Sequence, residues 1–177
     1  MTAAELGRLV RSVPDYPAAG IVFRDLSPLL ADAGGLRAVV EALAHSARAA
    51  GAAKVAGMEA RGFIFGAAVA VAAGCGFVAI RKPGKLPVPA IGVDYALEYG
   101  ADRLELDPTM IAAGERVAIV DDLIATGGTA LAAAELIEQA SGAPPVAAAF
   151  VIDLPGLGGA AALRQRGIPV TALLSYP

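Results

Sequence analysis

Short, almost unbroken apolar runs alternate with helix-like stretches along most of the chain, and no other feature restricts its fold as strongly. Five runs read as strands: Lys54–Met58, Phe77–Ile80, Glu115–Val120, Val146–Leu154 and Ile168–Leu174. Between them, Leu36, Val39, Val40, Leu43 and Ala47 keep the spacing of one helix face up to Gly51, and helices are expected over about Phe63–Ala73, Gly128–Ala140 and Leu157–Arg166. A strand that is apolar on both faces must be covered on both faces, which is the condition of a parallel sheet between helical layers. The expected architecture is therefore α/β, a central parallel sheet flanked by helices. A chain of 177 residues with no long internal linker accommodates one such domain and one principal site.

The stretch Gly62–Ile80 carries no charge, and by length alone it admits a membrane span. Its Ala, Gly and Val content and the Gly74-Cys75-Gly76 break read instead as a helix, a turn and a strand of a core. With 56% hydrophobic and 18% charged residues the chain is not intrinsically disordered, and a formal charge of −3 offers no general attraction for nucleic-acid phosphates. Cys75 is the single cysteine, which excludes an intrachain disulfide and a multi-cysteine metal site. Met1–Arg8 lacks the basic and then apolar pattern of a signal peptide, so a cytoplasmic location is expected. His45 is expected at the surface, and Cys75 buried and inert.

One segment carries chemistry. The Val117–Val120 run leads into Asp121 and Asp122, and Ala125-Thr126-Gly127-Gly128-Thr129 follows before the next helix. In open α/β sheets ligands sit at the carboxyl ends of strands. The two glycines let backbone amides turn inward, and with the positive end of the following helix they make an anion site, to which Thr126 and Thr129 add hydroxyls. No lysine lies in the loop, so it is not an NTPase phosphate loop. Phosphate cradle and paired acids together point to a ligand with a phosphate near hydroxyls or a cation, as in a sugar phosphate. The simpler alternative is a helix start with aspartates satisfying local amides.

Cations gather at two further strand ends. Arg61 lies in Glu59-Ala60-Arg61-Gly62-Phe63, and Arg81, Lys82 and Lys85 lie in Arg81-Lys82-Pro83-Gly84-Lys85-Leu86-Pro87. The chain's lysines are Lys54, Lys82 and Lys85, so two of three are here. In an acidic chain this concentration points to a polyanion such as pyrophosphate, which Arg grips bidentately and Lys attracts as a point charge. Pro83 to Gly92 reads as a loop, and Tyr95–Tyr99 and Arg103–Leu106 as a hairpin around Gly100. Glu98, between apolar neighbours, is either an exposed strand residue or a desolvated carboxyl that exchanges a proton with a ring nitrogen. Phe23, in the turn-rich Pro14–Leu30 segment, is either a core residue or a platform for a planar ligand.

The Asp-Asp-x-x-Ala-Thr-Gly-Gly-Thr string resembles the signature of the type I phosphoribosyltransferases. Gly20–Asp25, Glu59–Phe63, Ile80–Pro87 and Leu97–Gly100 complete an ordered set over nearly the whole chain, and the set is similar to that of the adenine-specific members. The resemblance implies transfer of phosphoribose from phosphoribosyl pyrophosphate to adenine, giving AMP and pyrophosphate, with substrate-bound Mg2+ and no metal ligand directly from the protein. By the same resemblance, Asp121 and Asp122 face the ribose diol and Ala125, Thr126, Gly127, Gly128 and Thr129 wrap the 5′-phosphate. Arg61, Arg81, Lys82 and Lys85 hold pyrophosphate, and Val22, Phe23, Arg24 and Leu154 enclose adenine. Glu98 and Arg61 are the catalytic candidates, Glu98 managing the proton near the purine imidazole nitrogen. The resemblance also implies one domain over 1–177 with a small N-terminal hood over about 1–34, a core over about 35–177 and a flexible lid hairpin. It implies a homodimer in which Arg81 or Lys82 sits near the partner's site. The chain departs from the family at Leu157-Gly158-Gly159-Ala160, where Leu-x-Gly-Arg is frequent, and around Val88–Gly92, which follows no strong pattern.

Two other readings stand beside this one. A phosphoribosyltransferase for a 6-oxopurine needs a donor near position 6, whereas the end of the Val146–Leu154 strand offers Asp153 and no lysine. A non-catalytic nucleotide-binding regulator of the same fold is disfavoured by net acidity and by the intact Glu98 and basic loops. For transfer, charge builds on the sugar and on the leaving pyrophosphate, so cations must face the latter and water must be kept out. The Pro83–Asp94 loop is the expected lid, with Gly84 and Gly92 as hinges.

Overall fold

The computed structural model describes residues 1–96 and 100–177. Its centre is a parallel sheet of five strands: β3 (Lys54–Met58), β4 (Gly76–Ile80), β7 (Val117–Ile124), β8 (Ala147–Asp153) and β9 (Val170–Ser175), in the order β4-β3-β7-β8-β9. Every residue of β8 is buried, as a strand sandwiched by helices must be. On one face, α5 (Gly128–Ser141) and α6 (Gly159–Gln165) enclose a core with Ile119, Phe150 and Leu163. On the other, α3 (Ala33–Ala49) and α4 (Arg61–Ala73) bury Val39, Leu43, Phe65 and Val69 against Val55 and Val120. The expected α/β sheet is what forms. The uncharged run resolves into α4, a left-handed Gly74 and β4, and no helix among the described residues is long and apolar enough to cross a membrane.

Two strand boundaries near the site, and the burial of one residue, differ from expectation. Strand β7 does not stop before the aspartates but carries Asp121 and Asp122 within it, because β8 continues to pair beside it through Leu123–Ile152 and Ile124–Asp153. Strand β5 (Ile91–Ala96) begins inside the segment read as loop, pairing with β6 (Ala101–Leu106) so that Val93 and Leu104 reach the core. Gly92 therefore sits in a strand opposite Glu105, with the Arg103 guanidinium lying against its Cα, and is not a loop hinge. Cys75 is half-buried rather than buried, its thiol donating to the Ala52 carbonyl at 3.2 Å.

The N-terminal segment forms elements that hydrophobic spacing does not announce. Helix α1 (Ala3–Arg8) starts on a Thr2–Glu5 capping box. β1 (Arg11–Pro14) and β2 (Val22–Asp25) make an antiparallel ribbon, followed by α2 (Ser27–Ala31). The ribbon is largely exposed and is held by polar contacts: Arg11 grips Asp25 at 2.9 and 2.5 Å. The Ser27 hydroxyl, the Ser27 amide and then Arg11 hold the Asp25 carboxyl down to about 2.

Candidate active site

The carboxyl ends of β3 and β7 open onto a cleft of about 400 Å³. It brings together Arg61, Lys82, Asp121, Asp122 and the whole Ala125–Thr129 loop. These residues come from three sequence segments that were read separately, and the parallel sheet delivers their ends to one side.

The loop is built to hold an anion. Gly127 adopts φ 87°, which a side chain would strain, and it caps α5 with no side-chain hydrogen bond. The first amides of α5 have no carbonyl a turn earlier to bond, so they stay open at the positive end of the helix. The loop is backed by the chain opposite: the Gly159 amide donates to the Ala125 carbonyl at 2.9 Å. A Cβ on Gly159 would lie 2.6 Å from the Gly127 nitrogen, so only glycine allows α6 to close against the cradle. Gly159 was not singled out for any role. Its signal was the glycine of Leu-x-Gly-Arg, which the chain keeps at 159 while Ala160 stands where the arginine is frequent.

The two carboxylates occupy different environments. Asp121 is deeply buried, its Oδ1 accepting from the Asp122 amide at 2.8 Å, with the Cα of Gly62 packed against it. Burial, and then the neighbouring charge of Asp122, push the Asp121 carboxyl well above the usual aspartate range. Asp122 instead forms an ion pair with the Arg61 Nε. Close contact between α4 and β3 makes this arrangement possible, since a Cβ on Gly57 would lie 2.6 Å from the Gly62 carbonyl oxygen.

The remaining cations divide. Lys82 reaches the cleft, whereas Arg81 and Lys85 do not line it. The Arg81 Nε donates to Glu59 at 3.0 Å, and its guanidinium lies 5.7 Å from the Phe63 ring centre. Lys85 is exposed, and its carbonyl accepts from Arg81 at 3.4 Å. Glu59 organises this corner by also accepting the Lys82 amide at 2.9 Å. That amide, followed by the Arg81 guanidinium, holds the Glu59 carboxyl below its ordinary range. Glu59 lies in the Glu-Ala-Arg-Gly-Phe string, but its partners follow the adjacent strand β4, more than twenty residues on, which leaves no local spacing to announce it.

The hood residues stand beside the cleft rather than within its lining. The Phe23 ring centre is 5.9 Å from the Arg61 guanidinium and packs edge-on with Tyr16. Arg24 commits its side chain to Ser12 at 2.6 Å and to the Tyr176 ring at 4.2 Å. Val22 is exposed on the same strand. Leu154 donates its amide to Ile124, a cleft residue, at 3.0 Å. Glu98 lies outside the described residues. His45 is exposed, as expected.

Residues 29–158 match the phosphoribosyl transferase domain family. The chain is 65% identical over 177 residues to adenine phosphoribosyltransferase of Novosphingobium aromaticivorans, covering 100% of this chain and 99% of the relative. It is 62% identical over 176 residues to the enzyme of the same description from Erythrobacter litoralis, covering 99% and 98%. Among solved structures, adenine phosphoribosyltransferase of Thermoanaerobacter pseudethanolicus superposes with a TM-score of 0.92 at 40% identity, over 99% of this chain and 100% of that one. The Saccharomyces cerevisiae enzyme, solved with an imino-altritol bisphosphate and adenine, gives 0.89 at 39% identity over 97% and 98%. A backbone phosphate cradle, paired carboxylates beside it and full-length likeness of this degree agree, and the chain belongs to the adenine phosphoribosyltransferases of the phosphoribosyl transferase family.

Proposed function

We propose that the cleft binds phosphoribosyl pyrophosphate and adenine and transfers the phosphoribosyl group to the base, releasing AMP and pyrophosphate. The observation that carries the assignment is the open amide cradle of Ala125–Thr129 set directly beside Asp121 and Asp122. The 5′-phosphate sits in the cradle with the Thr126 and Thr129 hydroxyls. Asp121 and Asp122, the latter paired with Arg61, face the ribose diol. Arg61 and Lys82 face the leaving pyrophosphate, and Arg81 and Lys85 join them as the loop closes. Val22, Phe23 and the Arg24 backbone take one side of adenine and Leu154 the other.

The donor set suits a magnesium ion that arrives with its substrate. Glu59, Asp121 and Asp122 supply carboxylate oxygens to the cleft lining, and no group of three or more His, Cys, Asp or Glu side chains is gathered for a metal among the described residues. Such an ion, arriving with the substrate, would be faced by the Asp121 and Asp122 carboxylates and would supply neutralisation of charge on the leaving group. The reading includes a homodimer. Ile64 and Val71 of α4 and Phe77 of the edge strand β4 are exposed apolar side chains, Val71 at 83%, and a second copy would cover them; sedimentation checks this. It also includes a cytoplasmic location, in keeping with a single free thiol.

The deciding experiment is AMP formation from adenine and phosphoribosyl pyrophosphate, with hypoxanthine, guanine and xanthine in parallel. Turnover of adenine alone is expected; preference for an oxopurine overturns the assignment. For Glu98 the expected role is proton exchange at the imidazole nitrogen. Glu98→Gln is expected to lower kcat about 10²-fold with little change in the KM for phosphoribosyl pyrophosphate. Equal losses in both count against that role.

A further inference from the structure

Lys82 is assigned to pyrophosphate above, and what holds it is visible in the hairpin across the cleft. A lysine ammonium has three donors at the end of a flexible stem, so its position is worth little unless something restrains it. Two of the Lys82 donors are taken: Nζ bonds the Asp102 carboxylate, and it bonds the Tyr95 hydroxyl at 3.1 Å. Tyr95 and Asp102 stand directly opposite one another in the β5–β6 register, and the Tyr95 hydroxyl donates to Asp102 Oδ2 at 3.0 Å. The same hydroxyl accepts from the Thr129 Oγ1 at 3.4 Å. One phenol oxygen thus joins the lysine to the first turn of α5, where the phosphate cradle is. The carboxylate and the phenol also favour the charged lysine, more than offsetting the burial of its stem.

We propose that Tyr95 and Asp102 are positioning residues for phosphoribosyl pyrophosphate: they hold two donors of Lys82, leave the third for the pyrophosphate, and couple the lysine to the 5′-phosphate loop through Thr129. The inference rests on the assignment of Lys82. Fixing a lysine before the substrate arrives removes part of the entropy cost of gripping it afterwards. Neither Tyr95 nor Asp102 lines the cleft itself, so their loss falls on substrate affinity more than on turnover.

The test is a set of steady-state measurements on the full chain, with unfolding followed for each variant. Asp102→Asn and Tyr95→Phe are each expected to raise the KM for phosphoribosyl pyrophosphate about fivefold, as loss of one or two hydrogen bonds would. The KM for adenine is expected to hold, and kcat to change by less than the KM. In a Lys82→Gln background the Asp102→Asn change is expected to add nothing, since the donor it positions is gone. If Asp102→Asn costs the same with and without Lys82, or if kcat and both KM values move together with a fall in Tm, the pair is only structural and the proposal fails. If Lys82→Gln raises the KM while both hairpin variants are silent, the proposal fails and the assignment of Lys82 survives. If Lys82→Gln is itself silent, the assignment beneath it is what fails.

Discussion

The cleft presents two kinds of donor to an anion, and the contrast is instructive. Around Ala125–Thr129 the chain uses its own amides, which carry no net charge and need no counter-ion. On the opposite side it presents two side-chain cations, each already held by an acid, Arg61 by Asp122 and Lys82 by Asp102, with Arg81 held by Glu59 just outside the lining. Amides at a helix start are ready because backbone geometry fixes them. Cations on long stems are ready only because partners from other strands restrain them. The first kind of site is a local property of the chain. The second exists only in the folded molecule.

The largest expected effect breaks the backbone site. Gly127→Ala places a Cβ 2.8 Å from the Gly159 Cα at a positive φ, and neither partner is a flexible side chain. Misplacing the cradle in this way is expected to lower kcat/KM for phosphoribosyl pyrophosphate about 10²-fold. Strain of roughly 2 kcal/mol also lowers Tm by about 5 °C, which calorimetry checks.

Next comes Asp121, the boundary between the two kinds of site. Its folded carboxyl binds a proton more tightly than the unfolded one, so this group's contribution is full below the ordinary aspartate range. It is lost as pH rises toward the raised value. Asp121→Asn is expected to raise Tm by about 3 °C at neutral pH and to flatten the dependence of Tm on pH in that window. It is also expected to raise the KM for phosphoribosyl pyrophosphate about tenfold. A fall in Tm, with the KM unchanged, would make Asp121 a structural residue.

Glu59→Gln is the mildest change, since one amide oxygen still accepts from Arg81 or Lys82. An increase of about threefold in the same KM is expected. Salt dependence of that KM as strong as in the parent chain, and stronger than in the Arg61→Gln variant, would show that the cation side depends on its restraints and not on charge alone.

How far the sequence could be read follows the same division. Strand β3 has the bounds that its apolar run announced, and α5 differs from expectation by one residue at its end. Both are made by local periodicity and by glycines at their ends. The β1–β2 ribbon was not legible, because Arg11–Asp25 and the Ser27 contacts, not alternation of apolar residues, hold it. Strand β5 was hidden by the Pro and Gly density before it, although its Val93 is paired with the buried Leu104. Asp102 carries no local signal, since its partners are Tyr95 across a hairpin and Lys82 at the end of another strand.

From the order of residues alone came the parallel α/β layers, the phosphate cradle and the identity of the acids and cations gathered at strand ends. Hydrophobic periodicity and glycine placement act over a few residues, so they can be read along the chain. The tertiary structure alone decided which acid meets which cation, that Asp121 and Asp122 are both buried but Arg61 pairs with Asp122, and that α6 supports the cradle through Gly159. Those pairings join residues far apart in the chain, and Coulomb and hydrogen-bond energies depend on distances that only packing sets.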